Sequence, residues 1–247
     1  MTSVLKAPHV RDVFLNPETG LLAIEKKAGR KILFLELSTI DAAVSSEVAE
    51  KVTTEGYGDF VDAPCSGGKM GAESGSLSFM IGSPDALYPR VFNICKLMGK
   101  ESGIFHCGDL GTGLKTKLLN NYLSSLTALA TAETINIGIR GGLDARKLND
   151  VLNASSGMSF NSAVNNPVPG LTPSAPTSKG YVGGFSLELC LGVLELALKT
   201  AEDLGAKTVL GQPMLNPFRD AANDDRFKGK DSKIIYKWLG GQDPVLV

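Results

Sequence analysis

The chain has 247 residues, 43% of them hydrophobic and 21% charged, with a formal net charge of −1. This composition suits a globular chain of one large or two small domains, and the near-neutral charge without like-charge blocks argues against nucleic acid or a membrane surface as partner. Four scattered cysteines with no CxxC pair, and only two histidines (His9 and His106), argue against a zinc site and fit a reduced, soluble intracellular protein.

No apolar run is long enough to span a membrane. Asp12, Glu18 and Glu25 give the first thirty residues an acidic content that fits neither a secretory signal nor a transit peptide. Residues 9–31 are mixed, with turns expected at Asn16–Pro17 and near Gly29–Arg30. The short basic groups Lys26–Lys27 and Arg30–Lys31 read as solvated. Lys31–Leu37 is a continuous apolar run, the pattern of a buried parallel strand. Asp41–Thr54 has helical spacing through Val44, Val48 and Val52. Asp59–Ala63 reads as a second strand ending at Pro64, residues 65–76 as a loop, Leu77–Ile81 as a third strand and Pro84–Leu97 as a helix. Strands alternating with helices indicate an α/β arrangement.

After Gly108 the pattern changes. Residues 112–140 form one long amphipathic helix closed by Gly141–Gly142. Asp144 is a suitable N-cap for a helix to about Asn153. Residues 155–184, with Pro167, Pro169, Pro173 and Pro176, read as a long loop of the kind that is often functional. Helices follow at 185–204, 212–224 and 231–239. The expected fold is α/β followed by all-α, divided into residues 1–107 and 108–247.

Three stretches offer chemistry. Ser38–Thr39 ends a buried strand, where open α/β sheets bind ligands, although the pair would serve equally as an N-cap. Cys65–Ser66–Gly67–Gly68 also follows a strand. Its paired glycines let backbone N–H groups approach an anion or simply make a turn, and Cys65 reads as small packing rather than a nucleophile. The stretch GDLGTGLKTKLLNN (108–121) passes from a glycine loop into the long helix and sets Lys117 and Asn121 on one face. On spacing alone that pair is either a solvated helix start or a proton-transfer and anchoring pair. No G-x-G-x-x-G, P-loop, H-x-x-x-H or G-x-S-x-G is present.

Taken together, these blocks resemble the β-hydroxyacid dehydrogenase family. DAPCSGG (62–68) is similar to its substrate-binding motif D-x-P-V-S-G-G. GDLGTGLKTKLLNN is similar to its catalytic motif G-x-x-G-x-G-x-x-x-K-x-x-N-N, and GAESGSLSFMIG (71–82) to G-x-x-x-G-x-L-x-x-M-x-G. NIGIRGGLDARKLNDVLNASSG (136–157) and NNPVPG (165–170) resemble the 3-hydroxyisobutyrate dehydrogenase branch, which acts in valine degradation.

The resemblance implies a fold and a set of roles. The fold would be a truncated Rossmann-like domain, a long interdomain helix and a C-terminal helical domain, working as a homo-oligomer through its helices. Lys117 would be catalytic and Asn121 would position the substrate, a small 3-hydroxy acid. Ser66, Gly67 and Gly68 would hold the substrate carboxylate, while Thr39 and Leu5 would touch NAD or NADP. The family's location would be mitochondrial, with no presequence visible in this chain. Four departures stand out: the chain starts after the family's glycine-rich unit, Lys6 replaces a proline, Gly192 and Val193 replace a Lys-Asp pair whose lysine meets the cofactor, and Phe160 replaces a tryptophan. A chain that had lost its dinucleotide site would instead be a non-catalytic remnant or a dimerising binding module.

Overall fold

The computed structural model describes residues 1–25 and 31–244. The turn expected near Gly29–Arg30 and the basic residues Lys26, Lys27 and Arg30 lie outside the described residues. The chain divides into two compact units, Met1–Leu119 and Asn120–Val247, so the division falls inside the long helix rather than ahead of Gly108.

The first unit is built in the order α1 (Ala7–Leu15), β1 (Ile32–Glu36), α2 (Ala42–Thr54), β2 (Gly58–Asp62), β3 (Cys65–Ser66), α3 (Gly68–Glu73), β4 (Leu77–Gly82), α4 (Tyr88–Cys95) and β5 (Gly99–Gly108). Its sheet is mixed. β1 and β2 run parallel, β3 pairs antiparallel with β4, and β4 runs parallel to β5. β2 changes neighbours at its last residue, where Asp62 faces Glu36 of β1 and Gly82 of β4. Leu35, Val61, Phe79, Ile81 and Ile104 from the strands bury against Val91 and Cys95 of α4.

Two elements go beyond the sequence reading. α1 forms in the stretch read as mixed because Pro8 stands in its first turn, where a missing N–H costs nothing, and Val10 and Phe14 bury on one face. It ends at Asn16, whose side chain accepts the N–H groups of Glu18 and Thr19 and makes the expected turn. β5 was hidden because its alternation is weak: of GKESGIFHCG only Ile104 is buried. The expected loop at 65–76 is replaced by β3 and α3. Asp41 caps α2 by accepting the Ala43 N–H, so the N-cap reading of Ser38–Thr39 does not hold.

The long helix, α5 (Thr112–Arg140), has the limits expected from its pattern. In the second unit it is followed by α6 (Ala145–Ala154), α7 (Phe160–Ala163), α8 (Leu187–Asp203), α9 (Gly211–Ala222) and α10 (Ile235–Trp238). Asp144 caps α6 through the Lys147 N–H, as its position predicts. Leu129, Ala132 and Ile135 of α5 pack with Leu187, Leu194, Met214, Phe218 and Tyr236. The proline-rich stretch 155–184 is tied down rather than open. Buried Asn166 donates to Asn149 Oδ1 and accepts the Val168 N–H, Thr177 Oγ1 donates to the Asn166 carbonyl, and the Tyr181 hydroxyl donates to the Pro167 carbonyl. It also holds α7 and a 3-10 turn at Pro176–Lys179.

Candidate active site

β1 and β2 are parallel neighbours ending in register at Glu36 and Asp62, so Ser38–Thr39 and Cys65–Gly68 leave the same carboxyl edge of the sheet. A further segment joins them there. Thr2 bridges Glu36 in parallel, and the Val4 N–H donates to Ser38 Oγ over 2.8 Å. Val4 thus meets Ser38, and Leu5 and Thr39 are the next residues of the two segments, beyond the ends of adjacent strands, where sheets of this kind hold ligands. The bond from Val4 divides the Ser38–Thr39 pair. Ser38 is buried and committed to structure, whereas Thr39 is half-buried with no hydrogen bond to its hydroxyl among the described residues. Leu5 is exposed.

The chain leaves β2 through Ala63–Pro64 into β3 and turns at Gly67 and Gly68, with φ of 129° and 59°. Both values lie where a side chain is strained, so glycine is required at each. Gly67 caps α3 and Gly68 opens it, both exposed. The first-turn amides of α3 thus lack partners within the helix and stand next to the half-buried Ser66.

At the other side of Asp62, α5 begins directly on the sheet. Asp62 Oδ1 accepts the Gly111 N–H over 2.6 Å and Oδ2 accepts the Leu114 N–H over 2.7 Å. Burial pushes the Asp62 carboxyl above the ordinary range, and these two amides pull it back in part. One turn further on, Lys115 faces water while Lys117 is 7% exposed, which settles the solvated reading against Lys117. Burial lowers the Lys117 pKa, opposed by the neighbouring Cys65 thiol. Among the described residues its ammonium has no hydrogen-bonded or ion-paired partner. Burial raises the Cys65 pKa, with Lys117 opposing, so Cys65 is a protonated thiol packed at the edge of the core rather than a nucleophile. Asn121 lies four residues beyond Lys117 on α5, within the second unit, and is half-buried.

Sequence reasoning gave no role to Asp62 or Gly82. Each is an ordinary residue in one motif, and their significance lies in contacts between segments some twenty to fifty residues apart. A Cβ at Gly82 would stand 2.4 Å from Asp62 Oδ1. In the second unit, Gly192 is exposed with nothing within 4 Å of an added Cβ, Val193 is buried in α8, and Phe160 is exposed at the start of α7. Among the described residues no cluster of three or more His, Cys, Asp or Glu could hold a metal, and no helix is long and apolar enough to cross a membrane.

Comparison with known proteins decides the family. Residues 1–108 match the model described as the NAD-binding domain of 6-phosphogluconate dehydrogenase, and residues 111–239 match that described as NAD-binding of NADP-dependent 3-hydroxyisobutyrate dehydrogenase. A 3-hydroxyisobutyrate dehydrogenase of Pseudomonas aeruginosa is 38% identical over 236 residues, 95% of this chain and 77% of that protein. The chain belongs to the β-hydroxyacid dehydrogenase family. The human mitochondrial 3-hydroxyisobutyrate dehydrogenase is 39% identical over 90% of this chain, which spans 65% of that protein's length. A solved 3-hydroxyisobutyrate dehydrogenase of Mycobacterium tuberculosis, with L-serine, superposes with a TM-score of 0.82 at 29% identity, covering 96% of this chain and 78% of that one.

By family, this β-hydroxyacid dehydrogenase is an NAD(P)-dependent enzyme acting on 3-hydroxy acids. Leu5 and Thr39, which follow the Val4–Ser38 bond on their two segments, are available to a ligand at this edge, the first exposed and the second without a hydrogen bond to its hydroxyl among the described residues. No glycine loop of the pyrophosphate-binding type is among the described residues.

The Lys117 environment predicts a pH dependence. A general base must be neutral, and burial brings the neutral amine into range below the ordinary lysine value of 10.5. With Lys117 as the general base proposed below, oxidation is expected to rise with pH to a plateau, with a midpoint below 10.5, and the reverse reduction to fall through the same midpoint. Pre-steady-state rates across pH would test this, and Lys117→Arg should abolish the midpoint because guanidinium stays charged.

Proposed function

We propose that the chain oxidises 3-hydroxyisobutyrate to methylmalonate semialdehyde, as in valine degradation. The observation carrying this reading is the buried Lys117 one turn into α5, without a hydrogen-bonded or ion-paired partner among the described residues and next to Cys65 at the root of the Ser66–Gly68 loop. Neutral Lys117 accepts the proton of the substrate hydroxyl as the carbon–oxygen bond becomes a carbonyl. In the reverse direction its ammonium polarises the aldehyde and returns that proton. Ser66 and the backbone N–H groups at Gly67 and Gly68 hold the substrate carboxylate, and Asn121, one turn along α5, hydrogen-bonds the reacting oxygen. Thr39 and Leu5 line the nicotinamide. When bound, the dinucleotide supplies the hydride acceptor. Exposed Leu123, Ile137 and Leu143 give the helical unit an apolar surface suited to a second copy.

Titration of the purified chain with NADH and with NADPH, followed by nicotinamide fluorescence, tests the reading. Saturable binding together with turnover of 3-hydroxyisobutyrate is expected. Absence of binding at about millimolar cofactor, an affinity of only about 4 kcal/mol, would favour the non-catalytic binding module instead.

A further inference from the structure

The best-organised polar contact in the first unit involves a residue to which the reaction assigns nothing. Asp62 is the last residue of β2 and the point where that strand exchanges neighbours. Its pairing with β1 ends there, and pairing with β4 continues through Pro64, whose carbonyl accepts the Met80 N–H, to Ser66. The side chain is 2% exposed, and each carboxylate oxygen accepts one N–H from the start of α5. The seat has no slack: an added Cβ at Gly113 would lie 2.2 Å from the Met80 carbonyl oxygen and 2.9 Å from that of Asp62. Ser66 follows Asp62 by four residues of chain, and Lys117 follows Leu114 by three residues of helix. One carboxylate is therefore continuous with the substrate loop and hydrogen-bonded to the lysine's helix.

We infer that Asp62 is a positioning residue, fixing where Lys117 stands relative to the Ser66–Gly68 loop through its bonds to Gly111 and Leu114. Two diverging donors require two acceptor oxygens on a short stem. Asparagine offers one acceptor and turns an N–H₂ toward a backbone N–H, while glutamate is too long for a site where Gly82 already lacks room for a methyl. The catalytic meaning of this inference rests on the dehydrogenase reading.

Asp62→Asn is the test, with two readouts: steady-state kinetics, and the titration of the Lys117 amine followed by NMR. Displacement by about an ångström is expected to lower kcat by about 10²-fold with KM little changed. Loosening the helix start admits water to Lys117, so its pKa should rise toward the ordinary value. The control is Val52→Ala in α2, a fully buried position outside the site, which should lower thermal stability while sparing kcat and the Lys117 titration. The inference is overturned if Asp62→Asn keeps both, if its Lys117 pKa falls (a direct charge effect), or if Val52→Ala costs as much kcat at equal loss of stability. Should Asp62→Asn not fold, Gly82→Ala, which crowds Asp62 Oδ1, must raise the Lys117 pKa, and no change there overturns the inference. The titration needs no turnover, so an inactive parent protein would fail the dehydrogenase reading alone.

Discussion

Lys117→Ala is expected to lower the rate of 3-hydroxy acid oxidation by about 10²–10⁴-fold, the range for losing a positioned general base. Cofactor affinity should change little, because the proposed cofactor contacts, Leu5 and Thr39, stand on other segments. Stability should move in an unusual direction. The Lys117 ammonium is buried without a hydrogen bond or ion pair among the described residues, so the native state carries its desolvation cost without a compensating contact. Removing it relieves that cost, while losing the aliphatic stem leaves a cavity. Lys117→Met keeps most of the volume and removes only the charge. It should melt at or above the temperature of the parent protein while being as inactive as the alanine variant. Thermal denaturation at pH 7 beside single-turnover rates would check both halves. A Lys117→Met protein that is active, or inactive because it is unfolded, would refute the assignment.

Gly113→Ala is expected to be the most damaging small substitution near the site. The added methyl would meet the Met80 carbonyl oxygen at 2.2 Å, the Gly82 nitrogen at 2.8 Å and the Asp62 carbonyl oxygen at 2.9 Å. All three are backbone atoms held in the sheet, so no side chain can swing aside. Either α5 lifts from the strand ends or the sheet opens between β2 and β4. Overpacking of this kind costs about 1–3 kcal/mol or more, and a fall in Tm of about 2–12 °C would follow for a chain of this size. Activity should fall further than stability, since the start of α5 carries Lys117 with it. Gly68→Ala separates the two causes. It has a left-handed backbone at φ 59°, which the helical Gly113 lacks, but open space around the new methyl, so it should cost only about 1–2 kcal/mol of backbone strain and leave the Lys117 titration intact. Equal effects of both substitutions on that titration would refute the steric account.

Several features were legible before any coordinates. The limits of α5, the cap at Asp144, and the strand at 32–36 follow from local rules: hydrophobic period, side-chain acceptors for free helix N–H groups, and glycine where a helix stops. The three motif blocks likewise pointed to the family that the comparisons establish. β5 was not legible, because an edge strand with one buried residue leaves almost no hydrophobic pattern.

The sequence by itself determined which residue types are available at 66–68 and 117–121, and their spacing along the chain. Only the tertiary structure decided which of Lys115 and Lys117 is buried, which of Ser38 and Thr39 is already engaged, and that Asp62 holds the helix start. The physical reason is the same in each case. Burial, and hence the lowered Lys117 pKa, is set by atoms brought in from distant segments, such as Asp62 gripping Gly111 and Leu114 across about fifty residues of chain. Local pattern carries no information about that encounter.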